Sequence, residues 1–406
     1  MSQARKLWIL NRGRIGRVVL GPSVRAIEMA KAGVAAGFEV HLCMDGCEGN
    51  LPTGIDFHVL GPELIRGIGR EDRVVSTIFL DVPCLRALLR LEATLEIDFY
   101  CIGALENIAT PSRLNPVRLF QGRRRTSRRY RWLLERADRI LVSSHEQTAF
   151  LGGILFAQGT KRSCELASRL PEKVVRLPMG VSSAEFPSGS RNPYPVAIQG
   201  RRIFLWGGGI WEWFDMETLL QAFRILAERG SDACLFFLSG GNPSGVQSQN
   251  LSGPRAVSRA SELGLLGNNV FFLDGGVSPG ELPGYLEHCT AGVMSNPESM
   301  ESLGSWRTRY LDLLWAGKGL VVSGSDPLAG MMARDGAARC VEAGVPEELA
   351  EALDGFQACG GTRSSTLRES LSWNALLDPW IGSEPERSGA NAPVGPWEWI
   401  RYVLGT

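Results

Sequence analysis

Ile203-Phe204-Leu205-Trp206-Gly207-Gly208-Gly209-Ile210-Trp211-Glu212-Trp213-Phe214-Asp215 reads as a buried strand, a glycine turn and the cap of a helix. Four bulky apolar residues without polar alternation suit a strand covered on both faces, as in a parallel sheet. The three glycines allow a tight turn and a close approach of backbone to a ligand. Asp215 can accept the unpaired N–H groups of the helix that follows. That helix carries its apolar stripe on Leu219, Leu220, Phe223, Leu226 and Ala227, and Gly230 closes it. Residues 235–238 form the next strand. Strand, glycine loop, helix and strand make the βαβ opening of a doubly wound sheet.

The same order occurs at the N-terminus. Lys6–Leu10 is a strand candidate, residues 11–22 are a glycine-bearing loop, and a helix is predicted from about Ser23. Its stripe is read as Val24, Ile27, Lys31 and Val34, with Gly37 as its end and Glu39–Met44 as the next strand. Two such openings in 406 residues predict an α/β chain of two tandem Rossmann-like, doubly wound domains. The predicted boundaries are 1–185 for an acceptor-side domain and 186–385 for a nucleotide-sugar-binding domain. Residues 386–406 are expected to be a linker and helix packing back on the first domain. Residues 179–200, rich in Pro, Gly, Ser and Asn, read as the interdomain linker. Further strands are expected at 270–273, 292–294 and 320–322, a second linker at 382–395, and a short amphipathic helix at 397–404.

Composition narrows the function. The chain has 43 basic and 43 acidic residues, so no global field recruits nucleic acid. Its nine cysteines form no Cys-x-x-Cys pair, which suits buried thiols in a reducing compartment. His41, Cys43 and Cys47 lie close in sequence, but no second ligand pair accompanies them, so no metal centre is expected. The apolar run 7–10 is too short for a leader, and no stretch reaches about 18 apolar residues. A cytoplasmic location is therefore expected.

Two segments carry candidate chemistry. The exposed N–H groups of the loop Gly207, Gly208 and Gly209 suit a diphosphate, and Trp211 beside them suits a sugar pocket or the core. In the second segment, residues 307–316 read as a helix. Ser305, Arg307, Thr308 and Arg309 gather at its start, where free N–H groups and positive charge suit a leaving diphosphate. Asp312, three residues from Arg309, shares its face and can accept two ribose hydroxyls. The alternative is a surface Arg309–Asp312 ion pair. A basic run, Arg113, Arg118, Arg123, Arg124, Arg125, Arg128, Arg129 and Arg131, reads as a solvated face. Its other reading is peripheral contact of the 123–136 region with an anionic acceptor or membrane surface.

These segments resemble the retaining GT-B glycosyltransferases, the family-4-like group that includes phosphatidylinositol mannosyltransferases and sucrose synthases. The likeness is to its bacterial branch linked to polysaccharide and natural-product gene clusters. The matching residues are Gly21-Pro22-Ser23-Val24-Arg25-Ala26, Tyr100 with Leu105-Glu106-Asn107, Arg136-Ala137-Asp138 with Ser143-Ser144-His145-Glu146-Gln147, the 206–215 loop, and 306–317. The resemblance implies a metal-independent transferase without a cofactor. It would use a nucleotide-diphosphate sugar as donor and a sugar, lipid-linked or small-molecule acceptor. It implies that the leaving phosphate takes the acceptor's proton. Carried over residue by residue, Asp312 stands where the family binds ribose, and Glu301 is the candidate for contact with the donor sugar. Arg307 and Arg309 would neutralise phosphate with Glu301 in the catalytic set, and Gly21 and Arg25 would join the donor site. Tyr100 and Glu106 would lie on the acceptor side. Glu301 and Asp312 are eleven apart where the family has eight, Trp213-Phe214 replaces a Lys-Gly, and Cys101 replaces an acidic residue.

Two other readings fit parts of the sequence. A GT-B-fold binding or scaffold protein without catalysis would explain the missing lysine. A nicotinamide dehydrogenase would use Asn11-Arg12-Gly13-Arg14-Ile15-Gly16, which lacks the first glycine of the dinucleotide fingerprint, with Asp45 as the ribose partner.

Overall fold

A computed structural model describes residues 5–16, 20–109, 115–239, 252–356, 365–386, 399 and 401–403. The chain divides into two compact units. The first comprises Met1–Ala104, Ser112–Met179 and Asn374–Thr406; the second comprises Leu105–Pro111 and Gly180–Trp373. The division therefore falls at Gly180 and Trp373 rather than at 186 and 385, and the chain from Asn374 onward belongs to the first unit.

The first unit is built on a seven-stranded parallel sheet. Its order is Ile55–Val59, Glu39–Met44, Lys6–Leu10, Arg73–Thr77, Thr94–Phe99, Arg139–Val142 and Val174–Arg176. Lys6–Leu10 and Glu39–Met44 stand at their predicted positions. The first helix differs from expectation. It runs Gly21–Ala35 with Leu20 as its cap residue, because Pro22 fits the first turn, and the Ser23 hydroxyl instead donates to the Arg14 carbonyl. Its buried face is Ser23, Arg25, Ala26, Met29, Ala30 and Gly33, while Lys31 is exposed and pairs with Glu28. Small residues there let the helix lie close to the sheet. An added Cβ at Gly33 would come 2.6 Å from a Leu7 methyl.

The second unit holds a six-stranded parallel sheet. Its order is Val270–Phe272, Cys234–Phe237, Ile203–Trp206, Ala291–Ser295, Leu320–Ser323 and Ala338–Val341. All the strands predicted here exist, with ends shifted by a residue or two. The helix Met216–Glu228 is capped by Asp215, whose carboxylate accepts from the Thr218 N–H at 3.0 Å. Leu219, Leu220, Phe223 and Leu226 are buried, and Gly230 ends the helix at φ +71°. Each unit is thus built on one doubly wound parallel sheet.

The segment 179–200 is not an open linker. From Gly180 it is part of the second unit, where Tyr194 is fully buried and its hydroxyl donates to the Tyr285 carbonyl at 2.9 Å. One aromatic anchor in a Pro/Gly/Ser-rich stretch leaves no periodicity to read. Within 382–395, residues 387–395 lie outside the described residues. Of 397–404, residues 399 and 401–403 are helical, and Trp399 and Tyr402 pack on Trp132 at 4.9 and 5.0 Å.

A buried charge cluster ties the C-terminal stretch to the first sheet. Glu96 is wholly buried, pairs with Arg73, and lies 3.7 Å from Arg139. Its other oxygen accepts from the Trp380 indole at 2.8 Å, while Arg73 donates to the Trp380 and Ile381 carbonyls. Glu96→Ala would leave two buried guanidiniums without their carboxylate. It is expected to destabilise the first unit by roughly 3–5 kcal/mol, read as a lowered calorimetric transition. A loss below about 1 kcal/mol would show the cluster to be hydrated.

Candidate functional site

The glycine loop follows the strand Ile203–Trp206, where the order of the second sheet reverses. Ile203–Trp206 has Cys234–Phe237 on one side and Ala291–Ser295 on the other. Such a switch point at the carboxyl ends of strands is where doubly wound sheets open a crevice. Gly208 has φ +101°, and Gly207 and Gly208 lie against Arg309, with an added Cβ 3.7 and 3.6 Å from its side chain.

Arg309 opens the helix Arg309–Trp315, two residues later than predicted. Its guanidinium donates to the Gly209 carbonyl at 3.1 Å and lies over Phe214 and Trp206, at 4.8 and 5.4 Å from the ring centres. It therefore reaches the loop and not the Asp312 carboxylate. Burial, and then the charge of Arg307, brings its pKa down to about 10, so it stays cationic at neutral pH. Arg309 and Asp312 line a small pocket with Gly207, Leu205, Met294 and Leu286. Its walls are mostly aliphatic, and that burial raises the Asp312 carboxyl to about 7 against the pull of Arg309. The surface ion pair is thereby excluded as the state of Asp312, because desolvation outweighs the one nearby positive charge.

Glu301 and Arg307 do not stand open. Both are buried and form a bidentate pair, Nη1 to Oε1 at 2.9 Å and Nη2 to Oε2 at 2.6 Å. Ser305 donates its hydroxyl to the same carboxylate at 2.6 Å. Burial alone would lower the Arg307 pKa, but the Glu301 charge and hydrogen bonds, together with Tyr310 and Asp326, hold the guanidinium above its ordinary value. Thr308 occupies the cap position without a side-chain cap bond. Glu106, in the helix Gly103–Ala109, falls in the segment that clusters with the second unit. Burial first, and then the Glu301 charge, pushes its carboxyl up to about 7, while Arg307 pulls it down. Trp211 is half-buried and stacks on Trp213 at 5.3 Å and 7°.

Asp326 had no distinguishing signal in the sequence beyond its place before Pro327. It caps Pro327–Arg334 through the Leu328 and Ala329 N–H groups, and accepts the Tyr310 hydroxyl at 2.9 Å and the Asn296 amide at 3.3 Å. This buried network fixes the helix bearing Arg309 and Asp312 to the end of the strand Ala291–Ser295.

In the first unit, Gly21 begins its helix, but Arg25 is buried and committed. It holds Asp98 through Nε at 2.7 Å and Nη2 at 2.9 Å, and donates to the Pro178 carbonyl at 3.0 Å. The Tyr100 ring lies 5.8 Å from its guanidinium, and the Tyr100 carbonyl accepts from Ser143 and Gln147. Asp45 closes the loop 11–16 by accepting from the Gly13 N–H at 2.7 Å and pairing with Arg12. This occupies the carboxylate that a dinucleotide ribose would need. Of the basic run, Arg113 lies outside the described residues. Arg125 and Arg129 bind the Tyr402–Val403 stretch, and Arg136 is buried against the Leu91 and Ala93 carbonyls. Arg118, Arg123 and Arg124 are exposed.

No family model matches the sequence, and no curated protein matches it. Solved structures match along almost the whole chain. WaaG, a glycosyltransferase involved in lipopolysaccharide biosynthesis, aligns at a TM-score of 0.59 and 14% identity over 96% of this chain and 100% of its own. Sucrose-phosphate synthase from Thermosynechococcus elongatus aligns at 0.65 and 14%, over 93% and 97%. Anabaena HepE, solved with UDP and glucose, aligns at 0.57 and 12%, over 98% and 99%. The chain has the fold of these GT-B proteins.

The raised Asp312 carboxyl has a measurable consequence. In the unfolded chain it ionises near its ordinary 3.8, whereas the fold keeps it protonated up to about 7. Its contribution to stability is complete below the lower value and is lost as pH rises through the upper one. Asp312→Asn cannot ionise. Its melting temperature relative to the parent should therefore climb between pH 4.5 and 7.5 and level off above. A difference independent of pH would mean that the pocket leaves Asp312 at its ordinary value.

Proposed function

We propose that this chain transfers a glycosyl group from a nucleoside-diphosphate sugar to an acceptor, with retention of anomeric configuration and without a metal ion. The observation that carries this reading is Arg309 held over the Gly207–Gly209 turn, with Asp312 in the same pocket at the switch point of the second sheet. Turn N–H groups and a fixed guanidinium suit a diphosphate. A carboxylate one helical turn on suits the two hydroxyls of a ribose. The structural neighbour HepE was solved with UDP-glucose, which supports a donor of that class.

In this reading the donor C1–O bond to the diphosphate breaks as the acceptor oxygen bonds to C1 on the same face. The acceptor's proton passes to the departing phosphate, and Arg309 stabilises the charge that develops there. Glu301 and Arg307 hold each other and act as positioning residues beneath the site. Glu106, with a carboxyl near 7, suits a hydrogen bond to an acceptor hydroxyl. The acceptor is a sugar, a lipid-linked glycan or a small molecule.

Arg309→Ala is expected to weaken nucleoside-diphosphate binding by roughly 1.5–3 kcal/mol in titration calorimetry. Asp312→Asn should raise the donor KM more than it lowers kcat. Donor affinity of the parent should also fall as pH drops below about 7, where Asp312 takes up its proton. Transfer should survive chelator, and the anomeric coupling in the product should match the donor. Unchanged affinity in Arg309→Ala would remove the assignment, and metal-dependent transfer would remove the metal-free mechanism. The closed Glu301–Arg307 pair also fits a protein that binds the donor without turning it over. Donor binding without transfer or hydrolysis would select that reading.

The helix Pro116–Arg136 exposes Val117 and Phe120 beside Arg118, Arg123 and Arg124. Exposed apolar side chains among arginines suit the surface of an anionic membrane. Among the described residues no helix is long and apolar enough to cross one. Co-sedimentation with phosphatidylglycerol vesicles should fall sharply in Phe120→Glu. Equal sedimentation of the two proteins would dismiss this contact and leave a cytoplasmic, solvated face.

A further inference from the structure

Parallel pairing in the first unit assembles a side-chain cluster from residues far apart in sequence. Register sets Trp8 beside His41 and His41 beside Asp56, with Lys6 beside Glu39 and Cys43 beside His58. Side chains two apart on a strand share a face. Glu39, His41, Asp56 and His58 therefore gather on one face of the last two strands at this edge of the sheet. His41 Nδ1 and His58 Nε2 face each other at 3.0 Å. Asp56 Oδ2 lies 4.0 Å from the same His41 nitrogen. On the far side of the ring, His41 Nε2 meets Glu39 Oε1 at 3.1 Å, and Lys6 Nζ lies 3.2 Å from that oxygen. Trp8 stacks on the His41 ring at 4.0 Å and 19°, and its indole is anchored by Asp72 at 2.9 Å.

We propose that this cluster binds a divalent transition-metal ion of the zinc class through His41 Nδ1, His58 Nε2 and Asp56, with water completing the shell. Glu39 accepts the Nε2–H of His41, which fixes the tautomer that leaves the Nδ1 lone pair toward the metal. A carboxylate behind a histidine is the usual support of such a ligand. Two nitrogens bound at 2.0–2.1 Å to a tetrahedral ion stand about 3.3 Å apart, so the observed 3.0 Å needs only a small adjustment. Asp56 is exposed and can swing inward, and His58 is half-buried, so an ion can enter from solvent. His41 is clamped between Trp8 and its strand, so the central ligand is already ordered. Among the described residues, Glu39, His41 and Asp56 are the one group of three potential ligands whose atoms lie within 4.8 Å of one another, and His58 joins it through its Nε2, 3.0 Å from His41 Nδ1. The ion would join the edge strand Ile55–Val59 to Glu39–Met44 and stabilise that edge. It would take no part in sugar transfer, whose proposed residues lie in the second unit.

The test titrates Zn²⁺ into the full chain after chelator treatment and alkylation of its accessible thiols, since Cys47 and Cys340 are accessible. One ion per chain should bind, with a rise in melting temperature. Asp56→Asn and His58→Gln should each weaken binding at least tenfold. Glu39→Gln should weaken it by roughly 10- to 100-fold, the range for losing the carboxylate behind a ligating histidine. His58 and Asp56 are outside the core, and circular dichroism will show that these variants fold. Co²⁺ in place of Zn²⁺ should give ligand-field absorption without a thiolate charge-transfer band. Zn²⁺ binding that is absent, unchanged in His58→Gln, or abolished by alkylation alone would overturn the proposal and leave a plain His41–His58 hydrogen bond.

Discussion

The contact between Gly292 and Leu313 governs the candidate site. A Cβ at Gly292 would overlap the Leu313 side chain, so only glycine on the strand Ala291–Ser295 lets the helix Arg309–Trp315 approach so closely. That approach brings Arg309 over Gly207 and Gly208, which also lack side chains, and brings Asp312 into the aliphatic pocket beside it. The Asp326–Tyr310–Asn296 network fixes the same helix from the other side. The placement of Arg309 and Asp312 thus depends on missing side chains and a buried polar network.

The electrostatics divide the arginines by role. Arg25, Arg73 and Arg307 are buried, and each holds a carboxylate, Asp98, Glu96 and Glu301 respectively. A buried guanidinium without such a partner would meet a large desolvation cost, so these pairs are structural before they are anything else. Arg309 instead holds one carbonyl, the Met294 sulfur and two aromatic faces, with no carboxylate within bridging distance among the described residues. It keeps a cation where a diphosphate could replace the missing counter-charge. The same low polarity lifts Asp312 and Glu106 to about 7, so both carboxyls titrate near neutral pH.

Parallel register brings together residues that no sequence motif links. Residues 8, 41, 56 and 58 share no local pattern, yet strand pairing puts their side chains within a few ångströms. Cys43 and Cys47, the neighbours of His41 in sequence, are not among the groups that meet its ring nitrogens. Cys43 lies beside His58 in register and is wholly buried, and its thiol is pushed up to about 12 by that burial.

The sequence by itself determined the two doubly wound sheets, the glycine turn after Ile203–Trp206 and the Asp215 cap, because strand and helix periodicities and cap residues act over a few positions. It also singled out Arg309 and Asp312, whose spacing of three places them on one helical face. It did not determine that Arg307 and Glu301 would close on each other, or that Arg25 would be used by Asp98. Those outcomes depend on partners 6 and 73 residues away and on the exclusion of water around them. The protonation of Asp312, the burial of Tyr194 in a linker-like stretch, and the His41–His58 encounter were decided by the tertiary structure alone. Desolvation and register belong to the packed chain and have no local signature.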